Sequence, residues 1–170
     1  MRARSASTWK RPGFSRETLR SSSDRPGGSV EVTAVPADHG PPEVAPKNGP
    51  VIGFILRGTE LPVLYVSGDN ASVEVVRGIV ADHGPIDAAV LFAGGAAVPE
   101  LWGERVYLTL TPETAVEAAR LLGDAPIVPI HQEGWAHFSF GPEELRRAFA
   151  EAGLEGRLRE PARGEEVALS

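Results

Sequence analysis

From Val63 onward the chain alternates short apolar runs with amphipathic segments of helical period, and this alternation restricts its fold more than any other feature. Residues 63–66, 86–92 and 126–130 have strand length, and the middle run has the character of a strand buried on both faces. Three helical patterns lie among them. Residues 72–83 set Val73, Val76, Ile79 and Val80 on one face and stop at Gly84-Pro85. The second pattern opens with Thr111 as N-cap, Pro112 at the first helical position and Glu113 complementing the macrodipole. It repeats Ala115, Ala118, Ala119 and Leu122 at i, i+3, i+4 and i+7, and Gly123 ends it. The third, residues 142–152, turns Leu145, Ala148, Phe149 and Ala152 inward before Gly153. Upstream, residues 30–35 and 51–56 read as strands, and residues 57–60 as a turn. Residues 40–50 hold four prolines and read as a loop without regular structure. Residues 157–160 read as a short closing strand. Strands alternating with helices specify α/β layers.

Composition narrows the class. At 170 residues, 42% hydrophobic and 24% charged, the chain matches one soluble globular domain able to bury a core. It has no cysteine, which excludes a disulfide framework and any Cys-ligated zinc. No apolar run approaches the roughly 20 residues of a membrane-spanning helix, so no membrane partner is expected. Residues 1–28 carry seven Lys/Arg against Glu17 and Asp24, whereas the remaining 142 residues carry 10 basic and 21 acidic side chains, a net of −11. An acidic body argues against nucleic acid as a partner, because phosphate neutralisation needs clustered cations. The Arg/Ser-rich lead, residues 1–28, shows no sustained period and is expected to be disordered. A misassigned start, a solvated tail and a targeting segment each fit its composition. No apolar h-region follows the basic residues, so secretion is not expected and a cytoplasmic location is.

Chemistry enters where three residues of metal-ligand type each follow an apolar run: His39, Asp69 and His131. The carboxyl ends of strands in open α/β sheets converge on one edge, where ligands bind. Two imidazoles and a carboxylate delivered there are the donors of a zinc or iron site. On the residues alone, Asp69 fits a turn or helix cap as well as a ligand, and either His fits a structural role. Trp135 and His137, close behind His131, fit substrate contact or ligand orientation as well as packing. His83 precedes Gly-Pro at a helix end and favourably meets the dipole there.

Residues 30–164 resemble the metallo-β-lactamase-fold superfamily of metal-dependent hydrolases, in the branch related to ascorbate-6-phosphate lactonase. The resemblance rests on Val35-Pro36-Ala37-Asp38-His39-Gly40, Gly53-Phe54-Ile55-Leu56 and Tyr65-Val66-Ser67-Gly68-Asp69-Asn70, in that order. It continues through Ala89-Val90-Leu91-Phe92-Ala93-Gly94 and Thr109-Leu110-Thr111-Pro112 to Val128-Pro129-Ile130-His131. It implies an αββα sandwich, present here mainly as its second half in residues 29–164, with a tail at 165–170. It implies two metal ions (zinc, or manganese or iron), with His39 on the first, Asp69 bridging both as the catalytic carboxylate, and His131 on the second. The implied reaction is hydrolysis of a lactone, ester or phosphodiester in a small-molecule substrate. The family's H-x-H-x-D-H motif is absent from this sequence, whose four histidines are His39, His83, His131 and His137. The sequence therefore reads as a truncated hydrolase or, alternatively, as a non-catalytic binding or assembly module retaining half of the fold. Either way, half a sandwich leaves one sheet face uncovered, which implies a homo-oligomer or a complementing chain.

Overall fold

The computed structural model describes residues 18–21, 29–99 and 105–169. Six strands form one sheet in chain order: β1 (Thr18–Ser21), β2 (Val30–Ala37), β3 (Val51–Gly58), β4 (Leu64–Val66), β5 (Ala88–Phe92) and β6 (Ile127–Ile130). The first four pair antiparallel; β4, β5 and β6 pair parallel. Parallel neighbours need crossovers, and two helices supply them: α1 (Val73–His83) and α2 (Pro112–Leu121). A third helix, α3 (Pro142–Glu151), follows β6 and packs on α2. Because β2 runs antiparallel to β3, and β3 to β4, the carboxyl ends of β2, β4, β5 and β6 share one edge.

The helices begin where local chemistry directs. Ser72 Oγ accepts the Val75 amide at 3.3 Å, so residue 72 caps α1 rather than joining it. Thr111 and Thr114 form a reciprocal capping box around Pro112. At α3 the Glu144 carboxylate accepts the Gly141 amide at 3.0 Å. Hydrogen bonds from the backbone amides of Glu144 itself and of Gly141 lower the pKa of its carboxyl.

One face of the sheet meets the helices. Val35, Ile55, Tyr65, Ala89, Leu91 and Ile127 point there and join Val76, Ile79, Leu110, Ala118, Leu145 and Phe149 in a single core. The opposite face shows apolar cross-strand rows. Val32, Leu56, Leu64 and Ala88 form one row; Ala34, Phe54, Val66, Val90 and Val128 form the next. Most of these side chains are half-buried, and none belongs to the helix-side core. The α/β class expected from the sequence is observed, as one helix layer on one sheet: half of an αββα sandwich.

Three local expectations change. Residues 157–160 do not form a strand. Glu155–Arg157 is a single 3-10 turn, and Leu158 makes one isolated parallel bridge to Ile127. The Arg157 guanidinium donates to the Ala119 carbonyl at 2.8 Å and to the Ala125 carbonyl at 2.7 Å, drawing the chain toward the end of α2. The proline-rich loop contains one 3-10 turn, Ala45–Lys47, which a proline in its first turn permits. Within the basic lead Thr18–Ser21 pair with β2, where no regular structure was expected; the rest of that segment lies outside the described residues.

Two loops at the carboxyl edge are tied together by Asn70, which is fully buried. Its Oδ1 accepts the Asp38 amide at 3.0 Å and the Ser72 amide at 3.3 Å, and its Nδ2 donates to the Ser72 carbonyl at 2.9 Å. The Ala71 amide adds a bond to the Asp38 carbonyl at 2.7 Å. Asn70→Ala leaves the buried Asp38 amide without its acceptor, at a cost of about 2–3 kcal/mol. The expected fall in Tm is roughly 5–10 °C. Tyr65 tests the opposite sign. It is fully buried, its hydroxyl lacks a partner among the described residues, and burial pushes its pKa up. Tyr65→Phe removes that unpaired hydroxyl at nearly constant shape and should raise stability by about 1 kcal/mol. Thermal melts by circular dichroism measure both; a Tyr65→Phe midpoint below wild type contradicts the reading.

Candidate metal centre

Each candidate ligand stands just beyond a strand at the shared carboxyl edge. His39 lies two residues past β2, Asp69 three past β4 and His131 one past β6. The chain reverses sharply at two of these points. Gly68 sits at φ +57°, and a Cβ there would strike the Ile52 carbonyl, so only glycine admits the turn that presents Asp69. His131 itself holds φ +61°, a left-handed conformation costly for a non-glycine residue. Gly94 lies beneath it: a Cβ at position 94 would collide with the His131 carbonyl. The glycine pair after β5 therefore serves close backbone packing, with Gly94 under His131 and Gly95 against the Phe140 ring.

The three side chains meet around the Asp69 carboxylate. Its Oδ1 lies 3.5 Å from His131 Nδ1 and its Oδ2 lies 4.0 Å from His39 Nε2. The two oxygens thus address different histidines. Asp69 Oδ1 and His131 Nδ1 are both buried atoms with no hydrogen-bond partner among the described residues. Such orphans are rare and call for an explanation. Donors at about 2.0–2.2 Å from one zinc ion stand about 3.3–3.6 Å apart at tetrahedral angles, so the Asp69–His131 pair fits a shared ion. The Asp69–His39 pair is wider and would have to close slightly. Among the described residues no group of three or more His, Asp or Glu side chains converges on a single metal position.

Electrostatics keep the imidazoles ready to ligate. Burial lowers the pKa of His39, and the Asp69 charge opposes that only in part. Burial also lowers the pKa of His131; Asp69 opposes it, while His137 and His39 push further down. Both rings are therefore neutral at pH 7, with a lone pair available. Packing orients His131: Phe92 lies 5.0 Å away between centroids and Phe138 meets it edge-on at 4.5 Å.

Of the weaker candidates, His137 stands one ring further out, 4.7 Å from Phe138, and Trp135 one beyond that, 5.9 Å from His137. Trp135 is 69% exposed, so the packing role is excluded and the ring stands at the rim of the site. His83 occupies the last turn of α1, at the far end of the sheet, and its carbonyl accepts from Arg57. Sequence reasoning missed Asn70, Phe92 and Phe138 as parts of the site. Only Asn70 left a local signal, an amide beside a carboxylate at a strand-to-helix junction. The others act through contacts distant in sequence.

Comparison with known proteins places the chain in a family. Residues 7–132 match the family model described as Beta-lactamase superfamily domain. A UPF0173 metal-dependent hydrolase of Rubrobacter xylanophilus is 31% identical over 146 residues, covering 82% of this chain and 55% of its own length. A UPF0173 metal-dependent hydrolase of Pyrococcus horikoshii is 28% identical over 118 residues, covering 69% and 47%. The chain spans about half the length of the curated relatives it matches. The crystal structure of isothiocyanate hydrolase from Delia radicum gut bacteria superposes with a TM-score of 0.73 at 22% identity, over 83% of this chain and 56% of that one, a likeness of fold. With most of its length inside the family model, the chain belongs to the β-lactamase superfamily, and its sheet and helices have the metallo-β-lactamase fold.

Proposed function

We propose that this chain supplies one side of a hydrolytic metal centre, with Asp69 between two ion positions, His39 serving one and His131 the other. The observation that carries the reading is the buried, unpartnered Asp69 Oδ1 facing His131 Nδ1 at 3.5 Å. The metal-dependent hydrolases among its relatives support the same class. Zinc suits the nitrogen and oxygen donors, and manganese or iron fits them too. A metal ion there would make a bound water acidic enough to attack at neutral pH. The protein's own contribution is positional. The Asp69 carboxylate accepts a hydrogen bond from the attacking water and fixes its direction. The neutral imidazoles of His39 and His131 add no positive charge of their own. Phe92 and Phe138 keep bulk water from one side of His131, and Trp135 offers an exposed aromatic surface to the substrate's apolar part. A lactone, ester or phosphodiester is the substrate class.

A second reading, a binding or assembly module without catalysis, is favoured by one observation: no three acidic or imidazole side chains converge among the described residues. Nitrophenyl ester and phosphodiester substrates separate the two readings. Turnover with zinc that disappears in Asp69→Ala supports the hydrolase; zinc binding without turnover supports the module.

Titration calorimetry with zinc tests the site itself. The wild-type chain should give binding heat, and Asp69→Ala, which removes the donor common to both positions, should abolish it. Equal heat from both proteins sinks the site. Gly94→Ala touches no donor but pushes on the His131 backbone, so zinc affinity should fall about 10–100-fold with the circular dichroism spectrum preserved. Wild-type affinity in Gly94→Ala would show that the backbone beneath His131 does not position the ligand.

A further inference from the structure

The ring of His137 continues an aromatic series that starts at the candidate metal centre. Phe92 and Phe138 flank His131, His137 meets Phe138 edge-on at 4.7 Å, and Trp135 lies 5.9 Å beyond His137. Backbone bonds fix the series in place. The Ala97 amide donates to the His137 carbonyl at 2.8 Å, and the Ser139 amide to the Gly94 carbonyl at 3.0 Å. Between these bonds Phe138 forms an antiparallel bridge with Ala96. The segment is thus pinned to the chain that leaves β5 at Gly94, beneath the His131 backbone.

Two observations set His137 apart from a packing residue. Its side chain is only partly buried, and among the described residues no hydrogen bond or ion pair engages its ring nitrogens. Glu133 in the same loop pairs with Arg163 at 2.7 Å, and Arg105 donates to Ser139 Oγ at 3.3 Å, so neither carboxylate nor guanidinium holds the ring. The ring is also electrostatically close to the site. Beside burial, which is the main cause, charge on His137 lowers the His131 pKa, ahead of charge on His39.

We propose that His137 is the acid that protonates the leaving oxygen when the substrate bond is cleaved. The inference rests on the hydrolytic reading of the site and adds the leaving-group half of the reaction to it. In that reading His39, Asp69 and His131 are engaged with the ion positions and the attacking water. The proton on the far side of the scissile bond then comes from another group, and an imidazole gives and regains one near neutral pH. The water oxygen bonds to the acyl carbon or phosphorus and loses a proton to solvent. The bond to the leaving oxygen breaks with its electron pair on that oxygen, which takes the proton of the His137 imidazolium. Solvent then reprotonates the ring. The substrate class is one with an alkoxide leaving group, too basic to depart without a proton.

Leaving-group dependence in the zinc-loaded full chain tests the assignment. His137→Gln should slow hydrolysis of ethyl acetate about 100-fold more than that of nitrophenyl acetate, because nitrophenolate departs without a proton. The heat of zinc binding should match wild type. Equal losses on the two esters assign His137 a structural role and overturn the inference while the metal centre stands. No turnover of either ester by the wild-type chain overturns the hydrolytic reading and this inference together. A second measurement is independent of turnover. The chain has four histidines, so their ring protons can be followed individually by NMR, with His137→Gln identifying that of His137. In the zinc-loaded chain the His39 and His131 resonances should stop responding to pH while that of His137 still moves. A His137 resonance frozen by zinc marks a ligand, and one that never moves marks a ring that exchanges no proton. Either result overturns the proposal.

Discussion

Parallel pairing of β4, β5 and β6 is the constraint on which the remaining structure depends. It sends Tyr65, Ala89 and Ile127 to the helix side and Val66, Val90 and Val128 to the other. A slip of one residue in any of these strands would exchange the two faces and turn a candidate-ligand loop away from its partner. The same pairing requires crossovers, so α1 and α2 must lie on the sheet, and their packing buries the core that holds the register. Antiparallel β2 then returns its carboxyl end to the same edge. Fold and site are thus one geometric consequence, not two.

Polar groups at that edge are treated in two ways. Asn70 and Ser67 are fully buried and bonded within the turn: Ser67 Oγ donates to the Gly68 carbonyl at 2.8 Å and accepts the Phe92 amide at 3.0 Å. Asp69 and His131 stand in the same loops with buried atoms left open. Desolvating a carboxylate oxygen and an imidazole nitrogen without partners costs stability, and the left-handed backbone at His131 adds to that cost. The secure polar network next to the open one holds those atoms in place. A chain under selection for stability alone would have paired them.

Much of this was legible in the residues. Helix α2 was readable because Thr111, Pro112 and Gly123 mark its ends and alanines set its period. The edge location of His39, Asp69 and His131 followed from the apolar runs before them. What could not be read depends on contacts across the chain. Nothing around Gly94 indicates that its missing Cβ makes room for the carbonyl of His131. Residues 157–160 have a strand-like pattern, yet Arg157 finds carbonyls at the end of α2 and the segment turns. Packing was one of the readings open for Trp135, but the loop after His131 leaves it exposed.

The central claim is that Asp69 and His131 hold a metal ion between their open atoms. A crystal structure of the zinc-loaded chain, with an anomalous difference map at the zinc edge, tests it most directly. The account predicts a peak about 2.0–2.2 Å from both Asp69 Oδ1 and His131 Nδ1. A map with zinc only at other residues, or with water bridging those two atoms, would contradict it.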